Sequence, residues 1–153
     1  MPGRAAALAA GLVVLLGACD KHEFQPPSRQ KQVAQADSLY SSALFDTIAW
    51  PSDSARTFEG NNVYATHCRK CHGWEGEGGQ TAYAKSRGLN PPSLVRADWQ
   101  YGSDVDAVRR RIFEGHPAGM PTWGVAGITP REIDAVAHYI VDDLRPEILG
   151  TPR

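Results

Sequence analysis

Five consecutive residues, Cys68-Arg69-Lys70-Cys71-His72, form a C-x-x-C-H run. The pattern reads as covalent attachment of a c-type haem. Two thiols three positions apart can each form a thioether with one of the macrocycle's two vinyl groups. The histidine that follows is then held where its ring nitrogen can bind iron from the proximal side. A chain with this motif must build its core around that ring. A dithiol redox site would need a βαβ context, and no such strand pattern flanks Cys68. Half of a zinc site would need a second C-x-x-C, yet the other cysteine, Cys19, lies far upstream, leaving His67 and His72 as the candidates to complete a mixed set.

The first residues read as an address. Arg4 supplies a positive start, and Ala5 to Leu16 form an apolar run interrupted by Gly11. That run falls short of the ~20 residues a membrane-spanning helix needs, so residues 1–18 read as a signal peptide. Leu16-Gly17-Ala18-Cys19 resembles the lipobox of bacterial lipoproteins, which implies cleavage before Cys19 and lipid on its sulfur. Asp20, next in line, resembles an inner-membrane retention signal of enteric bacteria. The three cysteines of the chain are thereby used, one for lipid and two for haem. Two or three acyl chains anchor firmly, at ~0.8 kcal/mol per buried CH₂.

Net charge is −1, with acidic and basic residues interspersed. No basic stripe for nucleic acid emerges from that balance. The mature chain suffices for one small domain with one haem, preceded by a tail. The tail, residues 19–53, is polar and punctuated by Pro26, Pro27 and Pro51, but it also carries Leu39, Tyr40, Phe45, Ile48 and Trp50. It reads as a lipid-anchored tether, partly helical over 28–44, whose apolar residues dock on the haem domain or on a partner subunit. As a free coil, the ~40 residues between Cys19 and Gly60 would stretch to ~130 Å.

Beyond Ser54 the pattern is orderly and wholly helical. A first helix is predicted from about Ser54 to the haem motif, followed by the glycine-rich loop 73–79 and a short helix over 82–87. Ser103 is predicted as the cap of a helix with Val105, Val108 and Ile112 on its apolar stripe, ended by Gly115. The last helix has Thr129 as cap, Pro130 at its first position and Glu132 completing a capping box. Ile133, Val136, Ala137, Ile140, Val141 and Leu144 form its apolar face, and Pro146 is predicted to stop it.

At this point residues 54–144 resemble the monohaem class I cytochromes c, an all-α fold wrapped around one covalently bound haem c, which implies a cytochrome c domain over 54–148. Gly60 and Tyr64 precede Cys68 by eight and four residues, where that family places a glycine and an aromatic residue. The resemblance implies a close helix crossing at Gly60, against Val136 and Tyr139. It implies that Pro92, in Pro92-Ser93-Leu94, offers its carbonyl to the Nδ1 of His72. It also implies that Met120, in Met120-Pro121-Thr122-Trp123, is the sixth iron ligand opposite His72. Met120 is the one methionine of the mature chain, and it sits in a loop instead of a helical stripe. His116, four residues earlier, is the rival ligand, with His138 and His67 behind it. Trp99 and Tyr101 are candidates to bond a haem propionate or to pack around the ring.

The implied function is outer-sphere transfer of single electrons by a membrane-tethered cytochrome in a bacterial respiratory or photosynthetic chain, held at the periplasmic face of the inner membrane. Its partners are a redox donor and acceptor. The alternative is a fixed monohaem subunit of a quinol-oxidising complex or terminal oxidase, and a haem-based sensor or peroxidase-like enzyme stands behind both. No nucleophile pair or carboxylate dyad marks an enzyme in its own right.

Overall fold

The computed structural model describes residues 25–150. The signal peptide and Cys19 lie outside the described residues. Among the described residues the fold is entirely helical, and the sole strand-like pairing is an isolated bridge between His116 and Met120. The elements are α1 (Arg29–Leu39), a 3₁₀ turn (Ser42–Leu44), α2 (Asp53–Val63), α3 (Arg69–His72), α4 (Ala82–Ser86), α5 (Val105–Glu114), α6 (Trp123–Ala126), α7 (Pro130–His138) and α8 (Arg145–Leu149). Two wide π turns, Tyr64–Cys68 and Tyr139–Leu144, splice α2 to α3 and α7 to α8.

The strongest local signal is realised in full. Thr129 accepts from the Glu132 N–H at 3.3 Å while the Glu132 carboxylate accepts from the Thr129 N–H at 2.8 Å, so two orphan donors of α7 are satisfied reciprocally. The buried face of α7 consists of Ile133, Ala135, Val136 and Ala137, continued by Ile140 and Leu144. It packs across α2 and α5, where Val63, Tyr64, Val108, Ile112 and Phe113 complete the core.

Four expectations shift. The cap of α5 is Asp104, not Ser103, because its carboxylate reaches the Ala107 N–H at 2.9 Å. The α2 helix starts one residue before Ser54, capped by Ser52, whose Oγ accepts from the Ala55 N–H. Pro146 does not stop the last helix. The π turn before it resets the hydrogen-bond register, so Pro146 falls in the first turn of α8, where a missing N–H costs nothing, and Gly150 at φ +66° ends the helix instead. The close crossing at Gly60 involves Ala135 and Tyr139 in place of Val136: a Cβ on Gly60 would overlap the Ala135 carbonyl and come within 2.6 Å of the Tyr139 Cβ.

Residues 29–50 are folded against α5 and α7. Tyr40 meets Phe113 edge-on at 5.5 Å, and Phe45 joins the core at 7% exposure. The Trp50 indole donates to Asp134 at 2.5 Å while Arg131 stacks over its ring at 3.8 Å and bonds the Ala49 carbonyl. Asp37 pairs with Arg110 at 2.6 Å. The seat for Trp50 is charged: Asp134, itself buried, also binds Arg109.

Candidate haem site

The C-x-x-C-H run straddles the π turn and α3. The wide turn changes which way the chain faces just before the motif, a device common at functional sites. His72 is the last residue of α3, and Gly73 at φ +85° turns the chain away from it. Tyr64 Oη, fully enclosed, donates to the Gly73 carbonyl at 2.8 Å and so braces that exit. Burial pushes the Tyr64 phenol well above its usual range.

The glycine loop is clipped to the proline turn. The Gly79 N–H reaches the Pro91 carbonyl at 2.9 Å and the Leu94 N–H reaches the Gly76 carbonyl at 2.7 Å. Gly78, at φ +93°, lies so close that a Cβ would stand 2.8 Å from the Pro91 oxygen. This clip carries Pro92 to His72, whose Nδ1 lies 3.4 Å from the Pro92 carbonyl. The carbonyl accepts when Nδ1 carries the proton, which leaves Nε2 unprotonated. Burial lowers the His72 pKa and the Pro92 bond partly offsets it, so the ring is neutral at physiological pH, as a metal-binding imidazole must be.

Both thiols are raised in pKa by burial, Cys68 to about 12 with Cys71 adding to the shift. Dithiol redox sites and reactive cysteines need the opposite, a lowered pKa and an electropositive setting. The half-buried pair suits permanent covalent use.

Cys68, Cys71, His72, Pro92 and Met120 all line one cavity of about 840 Å³. That volume lies within the ~300–1,000 Å³ typical of cofactor sites. Its walls include Leu94, Val108, Ile112 and Ile140. Met120 arrives on a tight loop in which the His116 N–H bonds the Met120 carbonyl at 3.0 Å and Gly119, at φ +126°, returns to the His116 carbonyl. Gly115 makes the loop possible, since a Cβ there would overlap the Pro121 carbonyl. His116 lines the cavity too, but it is exposed and its Nδ1 accepts from the Ala118 N–H at 3.1 Å. His67 lines it edge-on to Trp123 at 5.2 Å. His138 does not reach the cavity: it is bonded to Asp142 at 2.7 Å and lies 3.2 Å from an Arg109 nitrogen.

Trp99 and Tyr101 meet edge-on at 5.5 Å along the same wall. Arg111 joins them, donating twice to Tyr101 Oη at 3.2 and 3.1 Å and once to the Gly115 carbonyl. Sequence reasoning missed Arg111; its place one turn before Gly115 on an amphipathic helix was the available signal. It missed Arg145 as well, which is buried, stacks on Trp99 and donates to the Leu94, Arg96 and Gly102 carbonyls. Nothing local marks Arg145, because all three acceptors are backbone atoms more than 40 residues away.

A helical shell around one cavity, with two thiols, an imidazole, a thioether and a cation on apolar walls, fits a haem in donor chemistry and in volume. This is a c-type cytochrome domain, and its cofactor is covalent haem c. The chain belongs to the family described as cytochrome c oxidase, cbb3-type, subunit III, whose model matches residues 55–140. It is 34% identical over 88 residues to the cbb3-type cytochrome c oxidase subunit CcoP of Cereibacter sphaeroides, covering 58% of this chain and 28% of that protein. With subunit FixP of Azorhizobium caulinodans it shares 30% over 92 residues, 60% of this chain and 29% of the relative. With CcoP of Rubrivivax gelatinosus it shares 28% over 121 residues, 79% and 36% respectively. The chain thus spans little more than a third of these relatives, or less. No solved structure matches it significantly. Among the described residues no helix is long and apolar enough to cross a membrane.

Proposed function

We propose that this chain is a single-electron carrier working as a cytochrome subunit of a terminal oxidase of the cbb3 kind. In this reading Cys68 and Cys71 hold the haem, His72 and Met120 bind its iron, and the Pro92 carbonyl orients His72. The observation that carries the reading is that these five residues line one cavity in a chain of this family. When bound, haem supplies a reversible ferrous–ferric couple.

The protein sets how that couple behaves. The thioether of Met120 favours the ferrous state and raises the potential relative to a second histidine. Apolar walls act in the same direction by keeping water from the ferric charge. The Pro92 carbonyl holds the His72 ring in one tautomer and one orientation. Arg111, with Tyr101 and Trp99, offers donors for the ring's carboxylates. The oxidase reading is tested by solubilising native membranes in mild detergent: the chain should co-purify with a haem–copper oxidase, and recovery of free cytochrome alone would refute it.

The second reading is a lipid-tethered shuttle, which takes its anchor from Leu16-Gly17-Ala18-Cys19. Under it Cys19 carries the lipid, and the haem domain stands at the periplasmic face of the inner membrane between a donor and an acceptor. Cys19→Ser would then release a spectrally normal soluble cytochrome. Lipid on Cys19 is compatible with both readings.

A further inference from the structure

We propose that Arg145 is a positioning residue for His72: its guanidinium fork fixes the turn whose Pro92 carbonyl orients the His72 ring. The proposal deepens the reading of His72 as an iron ligand and rests on it.

Residues 87–104 belong to no helix, yet they supply Pro92, Leu94, Trp99 and Tyr101 to the cavity wall. A stretch without a hydrogen-bond ladder of its own must find partners for its carbonyls elsewhere. The glycine loop holds its leading side, through the Gly79 N–H on the Pro91 carbonyl and the Gly76 carbonyl on the Leu94 N–H. Those bonds end at the Leu94 nitrogen. Arg145 takes over at the Leu94 carbonyl: Nη1 donates to it and to the Arg96 carbonyl at 3.2 Å, while Nε donates to the Gly102 carbonyl at 2.9 Å. Leu94 is thus gripped at both of its backbone polar groups, two residues after Pro92. One planar fork spans the stretch from Leu94 to Gly102.

The surroundings of Arg145 suit that task. It is 5% exposed, and the centre of the Trp99 ring lies 5.2 Å from its guanidinium carbon. It stands behind the cavity wall and not in its lining, so its effect on the haem passes through the turn. Burying a guanidinium is costly unless its donors are used, and each acceptor here is a carbonyl of the stretch that forms the wall. Burial also lowers its pKa. The space is fitted to the fork, since a Cβ on Gly102 would stand 2.6 Å from Nη2. Arg145 follows directly on the π turn Tyr139–Leu144, beyond the residues 55–140 that the family model matches. A lysine there would bring a point charge that cannot bridge the carbonyls in this pattern.

The test uses the full ferric holoprotein, in which paramagnetic shifts separate the His72 ring protons in the NMR spectrum. Arg145→Lys keeps the charge and loses the fork. Exchange of the His72 Nδ1 proton with solvent should then speed up about tenfold. The iron couple should also shift several-fold toward ferrous, because a weaker Pro92 bond leaves the imidazole less basic. Gly102→Ala should act the same way by pushing Nη2 aside, and it stands in if Arg145→Lys does not fold. Asp134→Ala, destabilised at the seat of Trp50, should leave the exchange at the wild-type rate. A wild-type rate in Arg145→Lys, or in Gly102→Ala where it stands in, would overturn the proposal. Equal acceleration in Asp134→Ala, or a shift toward ferric in Arg145→Lys, would overturn it as well. A wild type without paramagnetically shifted His72 ring signals would instead refute the ligand reading itself.

Discussion

Gly60 and Tyr139 stand back to back where α2 crosses the α7–α8 helix, with no room between them for a methyl group. One turn on, the Tyr64 and Tyr139 rings meet at 5.7 Å. The crossing thus locks the helix that leads into the C-x-x-C-H run to the helix that carries the core.

Gly60→Val should accordingly destabilise the fold by about 1–3 kcal/mol, since the helices must part to admit the side chain. Haem should still attach. Chemical denaturation followed by haem absorbance and by helical circular dichroism measures the loss, and a midpoint equal to wild type would show that the backbones do not meet there.

Replacing Met120 with alanine should abolish the weak far-red methionine-to-iron band of the ferric protein and leave the iron open to carbon monoxide when reduced. His116→Ala should leave the band intact, because its Nδ1 is already bonded to the Ala118 N–H. Spectra of the two variants side by side decide the ligand. A band that survives in Met120→Ala would exclude the thioether.

Asp134 holds Arg109 of α5 and Trp50 at the end of the folded segment 29–50 from a position 3% exposed. Asp134→Ala should cost about 3 kcal/mol, because it strands a largely buried guanidinium. Limited proteolysis should then cut ahead of Ser52 while sparing the haem domain. Resistance equal to wild type would show that the packing of segment 29–50 does not depend on this carboxylate.

The capping box predicts a pH dependence. The Thr129 N–H and then its hydroxyl hold the Glu132 carboxyl below its ordinary value of 4.5. A depressed folded-state pKa means that the folded protein binds the proton more weakly than the unfolded chain. Its stabilisation is therefore fully present above about pH 4.5 and is lost as the pH falls below it. Glu132→Gln should flatten that part of the stability profile. Urea melts between pH 6 and 3 compare the two slopes.

Local chemistry was legible in the sequence and long-range chemistry was not. Thr129, Pro130 and Glu132 could be assigned because a helix start is satisfied within four residues. The cysteines and His72 could be grouped because their spacing is itself the motif. The cap of α5 was misplaced by one residue, since Ser103 and Asp104 are both good caps and only backbone direction chooses between them. Pro146 was misread because a π turn has no sequence signature of its own. The seat of Trp50 was invisible for another reason: Asp134 lies next to the apolar face of α7, and its partners Trp50 and Arg109 come from two other segments, 84 and 25 residues away.

The π turn at Tyr64–Cys68 has a consequence for anyone altering this chain. It holds one residue more than a regular turn, so everything after it is set back by about 100° around the helix axis. It works as a phase spacer between two tasks, the packing of Gly60 and Tyr64 and the aim of Cys68 to His72. A point substitution there changes a contact, but deleting a single residue such as Thr66 changes the aim. Its product would be a well-formed helix presenting the haem motif to the wrong side.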